Sequence, residues 1–347
     1  MTVRTPWDPF ARGALPAGVR TVFWHDAARD RTLPVEIYYP ALPSKQRTEG
    51  GTEATVRDAP AATGSHPLVL FIHGWYGNRG ECSILCAHLA SHGYRVASAD
   101  FVGSTAADVS AHLGQADYDF ESSWESIARD RLQDLPFLID AATQEFGEPI
   151  TAAGVTGTSL GGWCALMAPA VDARVRAIVP LCPVGGPGPL EFNGVPFLSR
   201  FLTQGWRSAA EVTTLVADRD SWLPLYGQID LFARIKSPAK RLVVLRRADH
   251  LHFIDAVRES HDTFAAFTLN LAGVAGAKNV PWSAIAGQIR PAAELMPEAE
   301  ARTIVCGLTI LQMDAALKRS SAARIALDDV NTELRRRGLD AYAISTT

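Results

Sequence analysis

The five residues Gly157-Thr158-Ser159-Leu160-Gly161 constrain this chain most, because they join a strand-like segment directly to a helix-like one. Before them, Thr151 to Thr156 is small and partly β-branched, which suits a buried central strand. After them, Gly162 to Ala168 is good helix material up to Pro169. A serine at such a junction sits on a turn so tight that side chains two residues to either side would collide, so both flanking positions are glycine. The pattern G-x-S-x-G in that setting is a nucleophile elbow, and Ser159 becomes a candidate nucleophile.

An elbow of this kind needs a parallel sheet around it, and the chain supplies one. Leu68-Val69-Leu70-Phe71-Ile72 is an unbroken apolar run of strand length, as expected for a strand covered on both faces. Glu81 to His92 places Cys82, Leu85, Cys86 and Leu89 on one helical face and ends at Gly93. Arg95 to Ala99 reads as the next strand, so the three segments imply a right-handed crossover. Gly103 to Ser122 shows no period and reads as a loop overhanging a site. Trp124 to Phe146 reads as a long helix with Ile127, Leu132, Leu135, Leu138 and Ile139 as its apolar face and a kink at Pro136. Ala177–Leu181, Thr213–Ala217 and Arg241–Leu245 read as further buried strands, Arg241–Leu245 being the last. A helix ends near Ile235, and another spans 259–271.

Around this core, residues 1–18 read as an N-terminal arm, and 19–271 as an α/β core with an antiparallel edge hairpin, Val19–Trp24 against Leu33–Tyr39. Residues 41–66 form a long surface loop, 183–210 a lid-like insertion beside a strand end, and 272–347 a helical extension packed on the core through Ile304, Leu308, Leu311 and Ala315. The fold class is α/β with a mostly parallel, doubly wound sheet. A net charge of −4 without a basic cluster gives no reason to expect a nucleic-acid partner. No apolar run approaches the roughly twenty residues that span a bilayer. Met1 to Gly13 lacks the apolar centre of a signal peptide, and the five cysteines lack zinc-ribbon spacing. A reduced, cytoplasmic protein with no cofactor and no metal is expected; oligomeric state is not legible.

Ligands of such sheets bind beyond the carboxyl ends of the strands, and the polar candidates fall there. Ser159 follows one strand, Asp220 a later one and His250 the last, in the order nucleophile, acid, base. A serine hydroxyl is a weak nucleophile near neutrality. An imidazole of pKa about 6.5 can take its proton and return it to the leaving group, while a carboxylate holds the imidazolium. Asp218 competes with Asp220, and His252 with His250. Asp220 is preferred because it precedes Pro224 by four residues, and His250 because it comes early in its exit loop. The oxyanion that develops needs two N–H donors, each worth about 2.7–4 kcal/mol. Leu160 and Trp75 are the expected donors, with His73 as a brace of the loop. Trp75, Tyr76, Trp163, Trp206 and Trp222 are the expected pocket residues.

These segments resemble the α/β hydrolases, and within them the branch of platelet-activating-factor acetylhydrolases and predicted dienelactone hydrolases, with cutinase-like polyesterases as neighbours. Arg31 to Pro40 looks like that branch's early strand ending in Tyr-Pro. Leu70 to Gly74 with Leu89 to Tyr94 is similar to its oxyanion strand and helix, and Asp130-Arg131-Leu132-Gln133-Asp134 to its long-helix signature. The resemblance implies the α/β hydrolase fold and metal-independent hydrolysis of a small or medium, apolar or aromatic carboxylic ester or lactone through an acyl-enzyme. Dienelactone hydrolases carry a cysteine nucleophile where this chain has Ser159, so that substrate is not carried over. An acyltransferase using the same acyl-enzyme, or a non-catalytic binding protein on the same fold, are the competing readings.

Overall fold

The computed structural model describes residues 7–43, 55–113, 115, 118–203, 205–274 and 277–344. The first six residues of the expected arm and residues 44–54 of the expected loop lie outside them. Among the described residues, a sheet of ten strands runs β12-β11-β10-β7-β6-β4-β5-β2-β1-β3. Its centre is parallel: β4 (Leu68–Ile72), β5 (Arg95–Ala99), β6 (Ala153–Thr158), β7 (Val175–Leu181), β10 (Glu211–Ala217) and β11 (Lys240–Leu245). At one side β1 (Ala17–Asp26) and β2 (Arg31–Pro40) form an antiparallel hairpin, with the two-residue β3 (Val56–Arg57) beyond it.

Why the central strands read as continuous apolar runs is plain from their two faces. In β4, Leu68, Leu70 and Ile72 enter one core while Val69 and Phe71 enter the other; β11 divides Leu242 and Val244 from Val243 and Leu245 in the same way. Each side chain of this kind contributes about 1.5–3 kcal/mol on full burial. The first core is closed by α3 (Phe120–Phe146), α4 (Leu160–Val171), α5 (Leu225–Arg234), α6 (Val257–Asn270) and α7 (Trp282–Ala286). The second is closed by α1 (Ser83–Ser91) and α8 (Glu298–Ala316), with α9 (Ser321–Asp328) and α10 (Val330–Arg336) at its margin. Met313 of α8 lies over Gly154 of β6, where an added Cβ would come within 2.4 Å of its sulfur.

Several segments differ from the sequence reading, among them the short β3 inside the expected 41–66 loop. Ala106–His112 forms a helix, α2, inside the stretch expected to be a loop, because Thr105 and Asp108 cap it reciprocally. Helix α3 begins at Phe120, since Asp119 caps its first turn, and Pro136 is accommodated inside it. Arg241–Leu245 is not the last strand: β12 (Ala341–Ile344) pairs antiparallel with β11. Four residues carry too short an alternation to reveal a strand, and the partner edge of β11 supplies the reason for it. The insertion after β7 contains a small hairpin, β8 (Glu191–Phe192) with β9 (Val195–Pro196), closed by stacked rings of Phe192 and Phe197 at 3.8 Å.

Candidate active site

Ser159 has φ 51° and ψ −111°, in the left-handed half of backbone space, which costs a non-glycine residue about 1–3 kcal/mol. Close packing holds it there. A Cβ on Gly157 would meet the Ile72 carbonyl at 2.4 Å and one on Gly161 would meet it at 1.9 Å, so the elbow is pressed onto the end of β4. The Ser159 N–H donates to the Leu181 carbonyl at 2.8 Å, and its own carbonyl accepts from Trp163 (3.0 Å) and Val184 (3.2 Å). The serine opens on a cavity of about 530 Å³ that it shares with His250.

Asp220 is buried in the exit loop of β10. One of its oxygens accepts the N–H groups of Trp222 (2.9 Å) and Leu223 (2.8 Å); the other meets Nδ1 of His250 at 2.7 Å. This contact puts the imidazole proton on Nδ1 and leaves Nε2 as the basic nitrogen. Burial disfavours the imidazolium, but the Asp220 carboxylate and then the Cys182 thiol outweigh it, and the pKa of His250 lies well above its ordinary value. The ring is stacked on Trp222 and Phe264. The two rivals are placed elsewhere. Asp218 faces Arg219 at 3.8 Å, and His252 is tied to Asp249 at 2.8 Å and to the Met296 carbonyl at 3.0 Å.

Among the described residues no hydrogen bond uses the N–H of Trp75 or of Leu160. Trp75 lines the cavity, and Leu160 directly follows Ser159 at the start of α4. His73 braces the loop that carries Trp75: its Nε2 accepts the Phe101 N–H at 3.0 Å, so Nδ1 carries the proton and donates to the Gly74 carbonyl at 2.7 Å. Burial, with the charge of Arg131 next, holds its pKa well below the ordinary value, and the ring stays neutral. Glu81 also lines the cavity, accepting the Gly74 N–H at 2.9 Å and the Thr158 hydroxyl; burial raises its pKa.

Trp75, Tyr76 and Trp222 line the cavity as expected from sequence. Trp163 does not, because α4 turns it fully into the first core, and Trp206 does not, because it packs at that core's edge. Their places are taken by Trp124 of α3 and by one face of α6, with Phe264 and Phe267 inside and Ser260, Thr263 and Asn270 beside them. Sequence reasoning missed the places of Glu81, Arg131 and Cys182 at the site, and it expected the helix over 259–271 without its role as a wall of the cavity. Arg131 left a signal, since it stands at helical spacing between Ile127 and Leu135 on the apolar face of α3, where a charge is out of place. Cys182, Asp220 and His250 each offer one donor atom, all within 4.8 Å of one another, which is close enough for a thiophilic divalent ion to bridge. Such an ion would compete with the Asp220–His250 hydrogen bond.

Known proteins agree with this architecture. The family model for the alpha/beta hydrolase fold matches residues 67–215. No curated protein matches the sequence. A solved ferulic acid esterase from Streptomyces cinnamoneus superimposes with a TM-score of 0.61, covering 97% of this chain and 99% of its own, at 21% identity. The sheet order, the elbow after β6 and both comparisons lead to one conclusion: the chain has the α/β hydrolase fold.

Proposed function

We propose that the protein is a serine hydrolase of carboxylic esters, with Ser159 as nucleophile, His250 as base and Asp220 as the carboxylate that orients it. The observation that carries this reading is the 2.7 Å contact of Asp220 with Nδ1 of a histidine that opens on the same cavity as a strained serine. In the first step Ser159 Oγ adds to the ester carbon as its proton passes to His250 Nε2, and the carbonyl electron pair moves onto oxygen. The N–H groups of Trp75 and Leu160 receive that oxyanion. Collapse breaks the bond to the alcohol, which leaves with the proton from His250. Water then repeats the cycle on the acyl-enzyme and releases the acid. No metal takes part.

The substrate is an ester of small or medium size with an aromatic or apolar part. Trp75, Trp124, Trp222, Phe264 and Phe267 supply an aromatic wall, and the similarity in fold to a ferulic acid esterase supports the same choice. The finer kinship to acetylhydrolases and dienelactone hydrolases rests on the segments quoted from the sequence. Exposed Thr263, Ala266 and Asn270 at the rim leave the cavity open to water, which favours hydrolysis over acyl transfer. Among the described residues no helix is long and apolar enough to cross a membrane, and the five free, buried thiols support a reducing, cytoplasmic setting.

A panel of esters graded by acyl length and leaving group, assayed on wild type beside Ser159→Ala, tests the reading. Aromatic esters should be preferred and the variant inactive. A folded Ser159→Ala protein with full activity would overturn it.

A further inference from the structure

Arg131 is fully buried, and among the described residues no carboxylate pairs with it; its neighbour on α3, Asp134, is taken by Arg29 and Arg31. An unpaired buried guanidinium is costly unless something polar uses all of it. What uses it is two backbone carbonyls and one hydroxyl. Nη1 donates to the His73 carbonyl at 2.6 Å and Nη2 to the Gly74 carbonyl at 3.0 Å, while Nε and Nη2 hold the Ser104 hydroxyl at 3.2 and 2.8 Å. The face of Phe101 lies 4.9 Å from the guanidinium carbon.

The Gly74 carbonyl belongs to the same peptide unit as the Trp75 N–H. That carbonyl takes two donors, Nδ1–H of His73 at 2.7 Å and Nη2 of Arg131, one of them charged. Hydrogen bonds to a peptide oxygen draw charge toward it and make the N–H at the other end a stronger donor. On the far side, Glu81 holds the N–H of Gly74 and so fixes the tilt of the next peptide.

We propose that Arg131 is the positioning residue of the oxyanion hole, aiming and polarising the Trp75 N–H through the Gly74–Trp75 peptide and placing a permanent positive charge behind it. The proposal rests on Ser159 being the nucleophile. Arg131 does not touch substrate; it acts on the transition state, where negative charge reaches the oxygen, and hardly on the bound ester.

The test compares an aryl trifluoromethyl ketone with its matched carbinol. Ser159 Oγ adds to the ketone carbon, its proton passes to His250, and the carbonyl pair becomes an oxyanion; the carbinol fills the same cavity and forms none. Since removal of a whole oxyanion donor costs about 10²–10³ in kcat, loss of its polarisation in Arg131→Met should cost about 10–100-fold, with KM within about threefold. Ketone affinity should fall by the same factor and carbinol affinity by less than about twofold. Arg131→Lys, which keeps the charge but not the fork, should recover part of the loss. If substitutions at 131 do not fold, Ser104→Ala frees one anchor of the guanidinium, and a selective loss of ketone affinity of about 3–10-fold is expected. A folded Arg131→Met or Ser104→Ala enzyme with wild-type kcat and ketone affinity overturns the proposal, as does equal weakening of ketone and carbinol. A wild-type enzyme that binds both ligands equally overturns the nucleophile reading itself, and the proposal with it.

Discussion

Replacing Asp220 by asparagine separates the role of its charge from the role of its shape. In the native site one carboxylate oxygen accepts two N–H groups, from Trp222 and Leu223, and the other accepts Nδ1–H of His250 at 2.7 Å. Asparagine can keep the first pair through its amide oxygen, so the exit loop should hold its form and the melting temperature should move by only a few degrees. Its amide nitrogen, however, donates. Facing His250, it selects the tautomer with the lone pair on Nδ1 and the proton on Nε2, which removes the base from the side that must serve Ser159. In a Ser-His-Asp arrangement this exchange costs about 10⁴ in kcat, equivalent to about 5.5 kcal/mol of barrier. We expect a loss of about 10³–10⁴ here, because His250 stays aligned by its stack on Trp222 and Phe264. Steady-state hydrolysis of a p-nitrophenyl ester reads it, with Asp218→Asn as the control, expected within about twofold of wild type because Asp218 does not face the histidine. A folded Asp220→Asn enzyme that keeps more than about a tenth of wild-type kcat, or an Asp218→Asn enzyme that loses about 10³-fold, would rule out Asp220 as the carboxylate that orients His250.

Because the base must be neutral and the His250 pKa is raised, kcat/KM should fall as pH drops through a midpoint above about 6.5, and a profile flat from pH 5 to 8 would contradict His250 as base. His88, whose Nε2 donates to the Pro9 carbonyl at 2.9 Å, is pushed down to about 4, first by burial and then by His92. The unfolded chain binds a proton below about pH 6.5 that the folded chain refuses until about pH 4, so stability rises with pH across that window. Urea unfolding should show about 2.5 kcal/mol of this loss by pH 4.5, and His88→Gln should remove it. An identical pH dependence in the variant would count against the assignment. Dialysis against a chelator should leave kcat unchanged; a loss restored by added divalent ion would assign Cys182, Asp220 and His250 a metal in the reaction.

The parts of the fold that could be read from sequence are those where burial acts on both faces of a strand. Leu68–Ile72 and Arg95–Ala99 are strands with the same bounds in structure and sequence, since both are buried on two faces and each is followed at once by polar or turn residues, His73-Gly74 and Asp100. Ser159, Asp220 and His250 could be placed because each stands at a strand exit, and the structure brings Asp220, rather than Asp218, to His250. What was illegible depends on long-range partners. β12 exists because β11 offers an open edge, α2 because of a local cap inside a polar stretch, and the α6 wall because the chain returns to the cavity after His250. Trp163 and Trp206 show the limit of composition, since aromatic side chains near a site in sequence serve the core as readily as the cavity. Arg131 and Glu81 were missed for the opposite reason. They are charged residues on segments that pack inward, and only the backbone of Gly74, held between them, explains their place.

The central claim is that Ser159 carries the acyl group. Reaction with an aryl phosphonate fluoride, followed by intact-mass measurement and peptide mapping, tests it most directly. One phosphonyl group per chain is expected, on Ser159, with activity lost in proportion to labelling and no labelling in Ser159→Ala. Full turnover by enzyme labelled on Ser159, or an adduct mapped to another residue such as Cys182, would contradict it.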